Sequence, residues 1–242
     1  MVSALGLHKG LDACFAVAIA MLIVSTEYFF RHYFLFWLPV LGTMRVNDMI
    51  SLLFAYSLLV GALGSIAAVD WSKEWHAVRQ AAYDCVTSWS YTPWIIALAL
   101  NIGIVSSLDR LLFVNIMLPV LESAHHNPTV WLLGLAPTMK GISLIVVNGL
   151  CIPVAEEFLW RGLVQPRFVR ILPLPLGIGT TAILFSLKHV IVDGNFGRFL
   201  MVSGFGVICG IFAHRKGWSA SAALHALINT TSSILALALG SV

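Results

Sequence analysis

The chain has 242 residues, of which 59% are hydrophobic and only 10% are charged, and its formal net charge is +3. Soluble domains carry about a quarter charged residues, so this composition excludes a soluble protein and predicts an integral membrane protein. The few positive charges are scattered along the chain, which argues against nucleic acid as a partner and leaves membrane lipid as the expected surroundings.

Apolar stretches long enough to cross a bilayer follow one another along nearly the whole chain. A membrane-spanning helix needs about 20 mostly apolar residues. Asp109 and Arg110 interrupt the third of these stretches, which could instead form two shorter segments. The pattern therefore predicts an all-α fold, a polytopic membrane helical bundle of seven or eight transmembrane helices in a single domain over residues 1–242. The seven predicted segments are 11–30, 46–70, 93–121, 138–165, 176–192, 199–213 and 218–239.

Positive charges predict which ends of these helices face the cytoplasm. Cytoplasmic loops are enriched in Lys and Arg, and the side that holds the N-terminus carries seven such residues against three on the other side. With seven helices we therefore expect a multi-pass protein with a cytoplasmic N-terminus, in the cell inner membrane if the source is bacterial. An eighth helix within residues 93–121 would place the N-terminus outside and leave the orientation of the C-terminal half unchanged. The seven are Lys9, Lys73, Arg79, Arg167, Arg170, Arg215 and Lys216, and the three are Arg31, Arg45 and Arg198.

Two adjacent carboxylates stand at the end of an apolar run, in the sequence IPVAEEFLWRG. Charged residues inside a membrane are costly, so they indicate a functional site unless a partner neutralises them. Glu157 and Arg161 are four residues apart on one helix face, which favours an ion pair between them. Glu156 lies about 100° around the helix and has no such local partner. The sequence therefore favours Glu156 as the functional residue and Glu157 with Arg161 as its structural support.

Two later segments also contain polar residues at helical spacing. The fifth contains FSLKH, which places Phe185 and His189 on one helix face. The seventh contains HALIN, which places His225 and Asn229 together in the same way. Counted at about 1.5 Å per residue from the predicted cytoplasmic ends, Glu156, His189 and His225 lie ~16, ~21 and ~14 Å deep. These depths are near the middle of a hydrocarbon core about 30 Å thick, so we expect one buried polar site.

Three motifs occur in a fixed order on separate predicted helices: EExxxR in EEFLWR, FxxxH in FSLKH and HxxxN in HALIN. Together they resemble the CPBP family, which comprises the CAAX proteases and bacteriocin-processing enzymes and is also called the Abi family. The resemblance covers about residues 138–232, which we expect to form the catalytic core, and leaves the transmembrane helices of residues 1–130 unassigned. It implies an all-helical intramembrane endopeptidase related to type II CAAX prenyl endopeptidase.

The resemblance also implies a role for each motif residue. In that family the first glutamate of EExxxR and the histidine of FxxxH activate a water, which implies this role for Glu156 and His189. The histidine and asparagine of the last motif face the oxyanion, so His225 and Asn229 would stabilise the tetrahedral intermediate. The residues that match supporting positions are Glu157, Arg161 and Phe185.

No cofactor and no metal are expected in this glutamic mechanism, although zinc held by glutamate and histidine is a less favoured alternative. The expected partners are membrane lipid and a membrane-associated peptide or protein substrate, either prenylated or with a C-terminal sorting tail. Two other functions remain open: a non-enzymatic membrane immunity or scaffold protein of the same fold, and a small transporter that relays protons through buried carboxylates. The sequence contains no inverted repeat that would favour the transporter.

Overall fold

A computed structural model describes residues 4–34, 44–113, 141–194 and 196–238 of the chain. Every regular element in these residues is helical, which confirms the predicted all-α fold. Helix α1 spans Ala4–Phe29 and continues in wider turns over Phe30–Phe34, α2 spans Met44–Ile66, and α3 spans Trp71–Thr87. The later helices are α4 over residues 92–113, α5 over residues 141–171, α6 (Leu174–Asp193), α7 (Phe199–Lys216) and α8 (Trp218–Ala238).

Five helical stretches of the described residues are long and apolar enough to cross a membrane, so the chain is a polytopic membrane bundle. These five match the first, second, third, fifth and sixth predicted segments. The other two segments, 138–165 and 218–239, are helical where the structure describes them and lie in α5 and α8, which carry the polar motifs. The five stretches are Lys9–Tyr33, Met49–Ile66, Trp89–Asp109, Leu174–Asp193 and Phe199–Lys216.

Helix α4 does not break at its charged pair. It runs through Thr92–Leu100, the wider turns of Asn101–Val105 and Ser106–Phe113, so the described part of the third segment is one helix. The carboxylate of Asp109 is buried and accepts hydrogen bonds from the backbone N–H groups of Leu200 (2.8 Å) and Met201 (2.6 Å). It therefore serves as a tertiary cap for the first turn of α7, whose N–H groups have no partner within the helix. The remainder of the predicted segment, residues 114–121, lies outside the described residues.

Helices α6 and α7 pack closely because glycine lines their contact. A Cβ placed on Gly206 would lie 3.0 Å from the Cβ of Ala182 in α6. One placed on Gly210 would lie 2.8 Å from the side chains of both Ile178 and Gln165. Small residues at this four-residue spacing let two helix backbones approach in a membrane, where packing replaces the hydrophobic effect as the driving force. The contact holds the FSLKH motif of α6 against the core.

Helix α5 lies at the centre of the bundle, where it contacts α1, α2, α6 and α8. Its residues Leu159, Trp160 and Val164 are fully buried. Trp160 packs edge-on against Phe185 of α6, with ring centroids 5.6 Å apart. The helix contains wider, five-residue turns at Ser143–Cys151 and Phe158–Val164, a feature frequent at functional sites. The two adjacent glutamates lie between these turns.

Candidate functional site

The two glutamates of α5 both point into the protein. Glu156 is 4% exposed and Glu157 is fully buried. Carboxylates at such depth need hydrogen bonds and opposite charges around them, because burial of an isolated charge is very costly. The two side chains find different partners on different helices.

Glu157 has three polar partners. Its Oε2 lies 3.3 Å from Nε of Arg161 and accepts a hydrogen bond of 2.7 Å from the hydroxyl of Ser221, while its Oε1 lies 3.1 Å from Nδ1 of His225. The predicted ion pair between Glu157 and Arg161 is therefore confirmed. The guanidinium also donates to the backbone carbonyl of Gly206 at 3.3 Å and lies 4.5 Å above the ring centre of Phe185.

Glu156 is also paired, and its partners belong to other helices. Its Oε1 lies 2.6 Å from Nζ of Lys188 and accepts a hydrogen bond of 2.9 Å from the hydroxyl of Tyr56. The sequence argument considered only residues on the same helix, whereas Lys188 belongs to α6 and Tyr56 to α2. A signal was present in FSLKH, since a buried lysine in an apolar helix also requires an anionic partner.

A third carboxylate, Glu27 of α1, completes this side of the site. Its Oε2 lies 3.0 Å from Nζ of Lys188 and 2.6 Å from the hydroxyl of Tyr56, whose single hydrogen it shares with Glu156. Its Oε1 lies 3.7 Å from the guanidinium of Arg31, which in turn pairs with Asp193 at the end of α6 at 3.1 Å. Sequence reasoning missed Glu27 and Tyr56 because nothing in the chain order brings α1 and α2 next to α5 and α6.

His225 lies between the two motif glutamates. Its Nδ1 contacts Glu157, and its Nε2 lies 3.9 Å from Oε2 of Glu156. The ring packs edge-on against Phe205 of α7, with centroids 4.6 Å apart, and the residue is buried. Among the predicted site residues, Glu156, Glu157 and His225 thus come together directly.

The two other predicted residues make different contacts. His189 packs edge-on against Phe185, with centroids 5.0 Å apart, as expected for residues on one helix face. Its Nδ1 lies 4.0 Å from Asp193, and its side chain is 21% exposed. Asn229 donates a hydrogen bond of 3.2 Å from its side-chain amide to the backbone carbonyl of Asn148 in α5. The roles implied for His189 and Asn229 stay predictions.

Comparison with known protein families identifies a similarity over the segment that carries the three motifs. Residues 137–231 match the family model described as type II CAAX prenyl endopeptidase Rce1-like. This segment is Rce1-like. The match confirms the resemblance to the CAAX proteases that the three motifs predict. No curated protein and no solved structure matches the chain. Of the buried polar residues around Glu156, Lys188 and His225 belong to the Rce1-like segment, and Glu27 and Tyr56 lie outside it.

An apolar cavity of about 260 Å³ lies between α2 and α5 of the Rce1-like segment. The hydroxyl-bearing side chain of Tyr56 lines it and also hydrogen-bonds Glu156, so this cavity borders the carboxylate site. Trp71 and Trp218, at the starts of α3 and α8, lie at the predicted cytoplasmic end. The other lining residues are Leu53, Ser57, Val60, Cys151, Ile152, Val154, Ala155 and Phe158.

The Rce1-like site fits a zinc ion poorly. Oε1 of Glu156 is occupied by the Lys188 ammonium at 2.6 Å, which repels a second cation, and Nδ1 of His225 is occupied by Glu157. This leaves one oxygen and one nitrogen, whereas catalytic zinc takes three protein ligands. Across the described residues, no group of three or more His, Cys, Asp or Glu side chains is arranged to hold a metal ion.

Proposed function

We propose that the protein is an intramembrane endopeptidase of the CAAX type that hydrolyses a peptide bond with a water activated by Glu156. The observation that carries the proposal is the pairing of Glu156 Oε2 with His225 Nε2 at 3.9 Å inside an Rce1-like segment. The separation is too long for a direct hydrogen bond, and it allows one water to bond to both atoms at about 2.8 Å.

The contact with Glu157 determines which nitrogen of the His225 imidazole carries the proton. Glu157 is paired with Arg161 and, as a carboxylate, only accepts hydrogen bonds, so Nδ1 of His225 carries the proton in their 3.1 Å contact. In the neutral ring Nε2 then presents a lone pair toward Glu156. A water between them donates one hydrogen to each, which directs its oxygen lone pairs away from both groups and toward a substrate carbonyl.

The chemical steps balance with these groups alone. Glu156 takes a proton from the water as the oxygen adds to the carbonyl carbon, giving a tetrahedral intermediate with a negative oxygen. The carbon–nitrogen bond then breaks, and protonated Glu156 returns the proton to the leaving amine. General acid–base catalysis of this kind contributes about 10²–10⁴-fold in rate.

The remaining motif residues support this scheme, in which Asn229 keeps the oxyanion role that the resemblance implies, whereas His225 bonds the water instead. Asn229 lies one turn beyond His225 on the same face of α8, and its amide could turn from the Asn148 carbonyl to the oxyanion. One such donor lowers the activation barrier by roughly 3–4 kcal/mol. We assign His189 to orienting the water or the substrate carbonyl, held by its packing on Phe185. The reaction as proposed needs no metal, because a carboxylate base and a histidine suffice.

The substrate is proposed from the cavity. The apolar cavity is lined by Tyr56, which hydrogen-bonds Glu156, and it suits a lipid-modified or strongly apolar substrate residue. The family's CAAX substrates carry such a group. Its tryptophan-lined end lies on the predicted cytoplasmic side, where Arg215 and Lys216 would attract a substrate's C-terminal carboxylate. We therefore propose a prenylated CAAX peptide over an unmodified sorting tail.

The test is cleavage by the purified full-length chain in liposomes. A farnesylated CAAX peptide and its unfarnesylated twin are incubated with wild type, Glu156→Gln and Asp12→Asn, and products are identified by mass spectrometry. Asp12→Asn is the control variant: it also replaces a carboxylate by an amide, but in α1, where Asp12 forms a partly exposed ion pair with Arg170. Cleavage of the farnesylated peptide by wild type and Asp12→Asn alone supports the proposal. A Glu156→Gln protein with wild-type activity excludes the proposed base, and a wild type inert toward both peptides favours the scaffold function.

A further inference from the structure

We propose that Glu27, Tyr56 and Lys188 form a positioning unit for Glu156, so that the active centre extends from the Rce1-like segment into α1 and α2. This inference rests on the proposed function. It assigns a role to the N-terminal helices, which contribute Glu27 and Tyr56 and lie outside the matched residues 137–231.

The ammonium of Lys188 is fully satisfied in this unit. Its three N–H groups face three oxygens: Oε1 of Glu156 at 2.6 Å, Oε2 of Glu27 at 3.0 Å and the hydroxyl of Tyr56 at 3.2 Å. The lysine is fully buried, and both carboxylates are nearly so. An ammonium with a complete set of acceptors has one position, and Oε1 of Glu156 is fixed with it.

Fixing one oxygen determines the direction of the other. Because Lys188 and Tyr56 both bond Oε1, Oε2 is the oxygen of Glu156 that faces His225 at 3.9 Å. The plane of the carboxylate is thus set before substrate binds. Catalytic groups held within a fraction of an ångström of their working position avoid the cost of reorganisation during the reaction.

Tyr56 couples the two carboxylates through a single proton. Its hydroxyl lies 2.6 Å from Glu27 and 2.9 Å from Glu156, but it has one hydrogen to donate. When Glu156 takes the proton of the water, its negative charge falls and the hydroxyl turns to Glu27. When Glu156 returns that proton to the leaving amine, the hydroxyl turns back. The hydrogen bond of the Tyr56 hydroxyl therefore switches from Glu156 to Glu27 and back once in each catalytic cycle.

Charge balance explains why a second carboxylate is present. Three cations, Lys188, Arg31 and Arg198, together neutralise the carboxylates of Glu27, Glu156 and Asp193, and Arg31 lies 3.7 Å from Glu27 and 3.1 Å from Asp193. If Glu156 were its only anionic neighbour, the Lys188 ammonium could move to contact both carboxylate oxygens of Glu156. The second anion holds Lys188 between two acceptors instead. Glu27 thereby acts on Glu156 through Lys188 and Tyr56.

The first test removes the shared hydroxyl. In liposomes with the farnesylated peptide, Tyr56→Phe lowers kcat roughly ten- to hundredfold, the effect of losing a hydrogen bond to a charged group, and leaves KM nearly unchanged. Tyr91→Phe is the matched control, since Tyr91 is also buried and its hydroxyl donates to the backbone carbonyl of Ala81 at 3.4 Å, outside the unit. Equal kcat values for Tyr56→Phe and wild type overturn the inference while the proposed function stands.

The second test measures coupling. Glu27→Gln also lowers kcat, and the double variant with Tyr56→Phe loses less than the product of the two single losses, because both act on the same oxygen of Glu156. Asp12→Asn, the same change on the same helix, keeps the wild-type kcat. Independent, multiplying losses would show that Glu27 does not act through Tyr56 and would overturn the unit.

A readout without catalysis separates this inference from the proposed function. A hydrophobic carbodiimide reacts with protonated carboxyl groups, and peptide mass spectrometry measures the labelled fraction of Glu156. Loss of the ammonium in Lys188→Met raises this fraction severalfold, and Lys73→Met, at an exposed lysine, does not. If Lys188→Met fails to fold, Lys188→Met with Glu27→Gln, which restores the net charge of the unit, is labelled instead. Unchanged labelling of Glu156 overturns the positioning unit even if no peptide is cleaved.

Discussion

Nδ1 of His225 lies 3.1 Å from Oε1 of Glu157, and this contact leaves Nε2 as the ring nitrogen that is directed toward Glu156. Glu157 is itself locked by Arg161 and Ser221, so the histidine is oriented by a group that cannot turn away. The two adjacent glutamates therefore contact different nitrogens of His225: Glu157 lies at Nδ1, and Glu156 lies on the Nε2 side, where we propose the water.

This division predicts the behaviour of His225→Asn. The asparagine amide nitrogen replaces Nδ1 as a donor to Glu157, whereas nothing replaces Nε2. We expect kcat to fall about 10²–10⁴-fold with an almost unchanged melting temperature in detergent. His214→Asn, at an exposed position in the last turn of α7, serves as the control and keeps full activity. Substantial activity in His225→Asn would contradict the proposed role of Nε2.

A second prediction concerns the ion pair between Glu157 and Arg161, both fully buried at their side chains. Removing one partner of such a pair leaves the other charge buried alone, so Glu157→Gln should lower the free energy of unfolding by about 3–5 kcal/mol. Asp12→Asn breaks a pair with the largely exposed Arg170 and should cost about 0–1 kcal/mol. Denaturant unfolding in detergent measures both. A Glu157→Gln protein as stable as wild type would show that the pair does not support the fold.

The cap that Asp109 provides to α7 leads to a third prediction. Asp109→Ala leaves the N–H groups of Leu200 and Met201 without their acceptor in a buried setting, at a cost of about 1–3 kcal/mol. Asp70→Ala removes an exposed cap from α3, where water replaces the carboxylate, and should cost about 0.5 kcal/mol. Hydrogen exchange should accelerate at the first turn of α7 in Asp109→Ala only. Unchanged exchange there would exclude the capping role.

Metal removal gives a fourth prediction. Lys188 occupies one oxygen of Glu156, and Glu157 occupies one nitrogen of His225, so these residues offer too few ligands for zinc. We therefore expect activity to survive exhaustive chelation. The measurement is the cleavage rate before and after dialysis against chelator, with zinc content determined in parallel. Restoration of a chelator-inactivated protein by one equivalent of zinc would contradict the metal-free mechanism.

Contacts within one helix were accessible from the sequence. The four-residue spacing of Glu157 and Arg161 predicts their ion pair, and the same spacing predicts the packing of Phe185 on His189; both are observed. Such predictions succeed because helix geometry alone brings residues i and i+4 together. The order of the three motifs likewise predicted the Rce1-like segment, since it depends on chain order and residue type only.

Contacts between helices were not accessible in the same way. Asp109, which the sequence marks as an interruption of a span, is the cap of α7, and Lys188, a single letter within FSLKH, neutralises Glu156. In each case the sequence indicates that a buried charge needs a partner, but does not indicate which helix supplies it.

The sequence by itself determined that this is an all-helical membrane protein with buried polar residues, because apolar composition and helical spacing act locally along the chain. Only the tertiary structure decided how that site is assembled. The packing of α1 and α2 against α5 and α6 brings Glu27 and Tyr56 to Glu156, and the packing of α8 brings His225 between the two glutamates. The physical reason is that a buried charge requires an opposite charge or a donor but not a particular neighbour in sequence, so helix packing selects the partner.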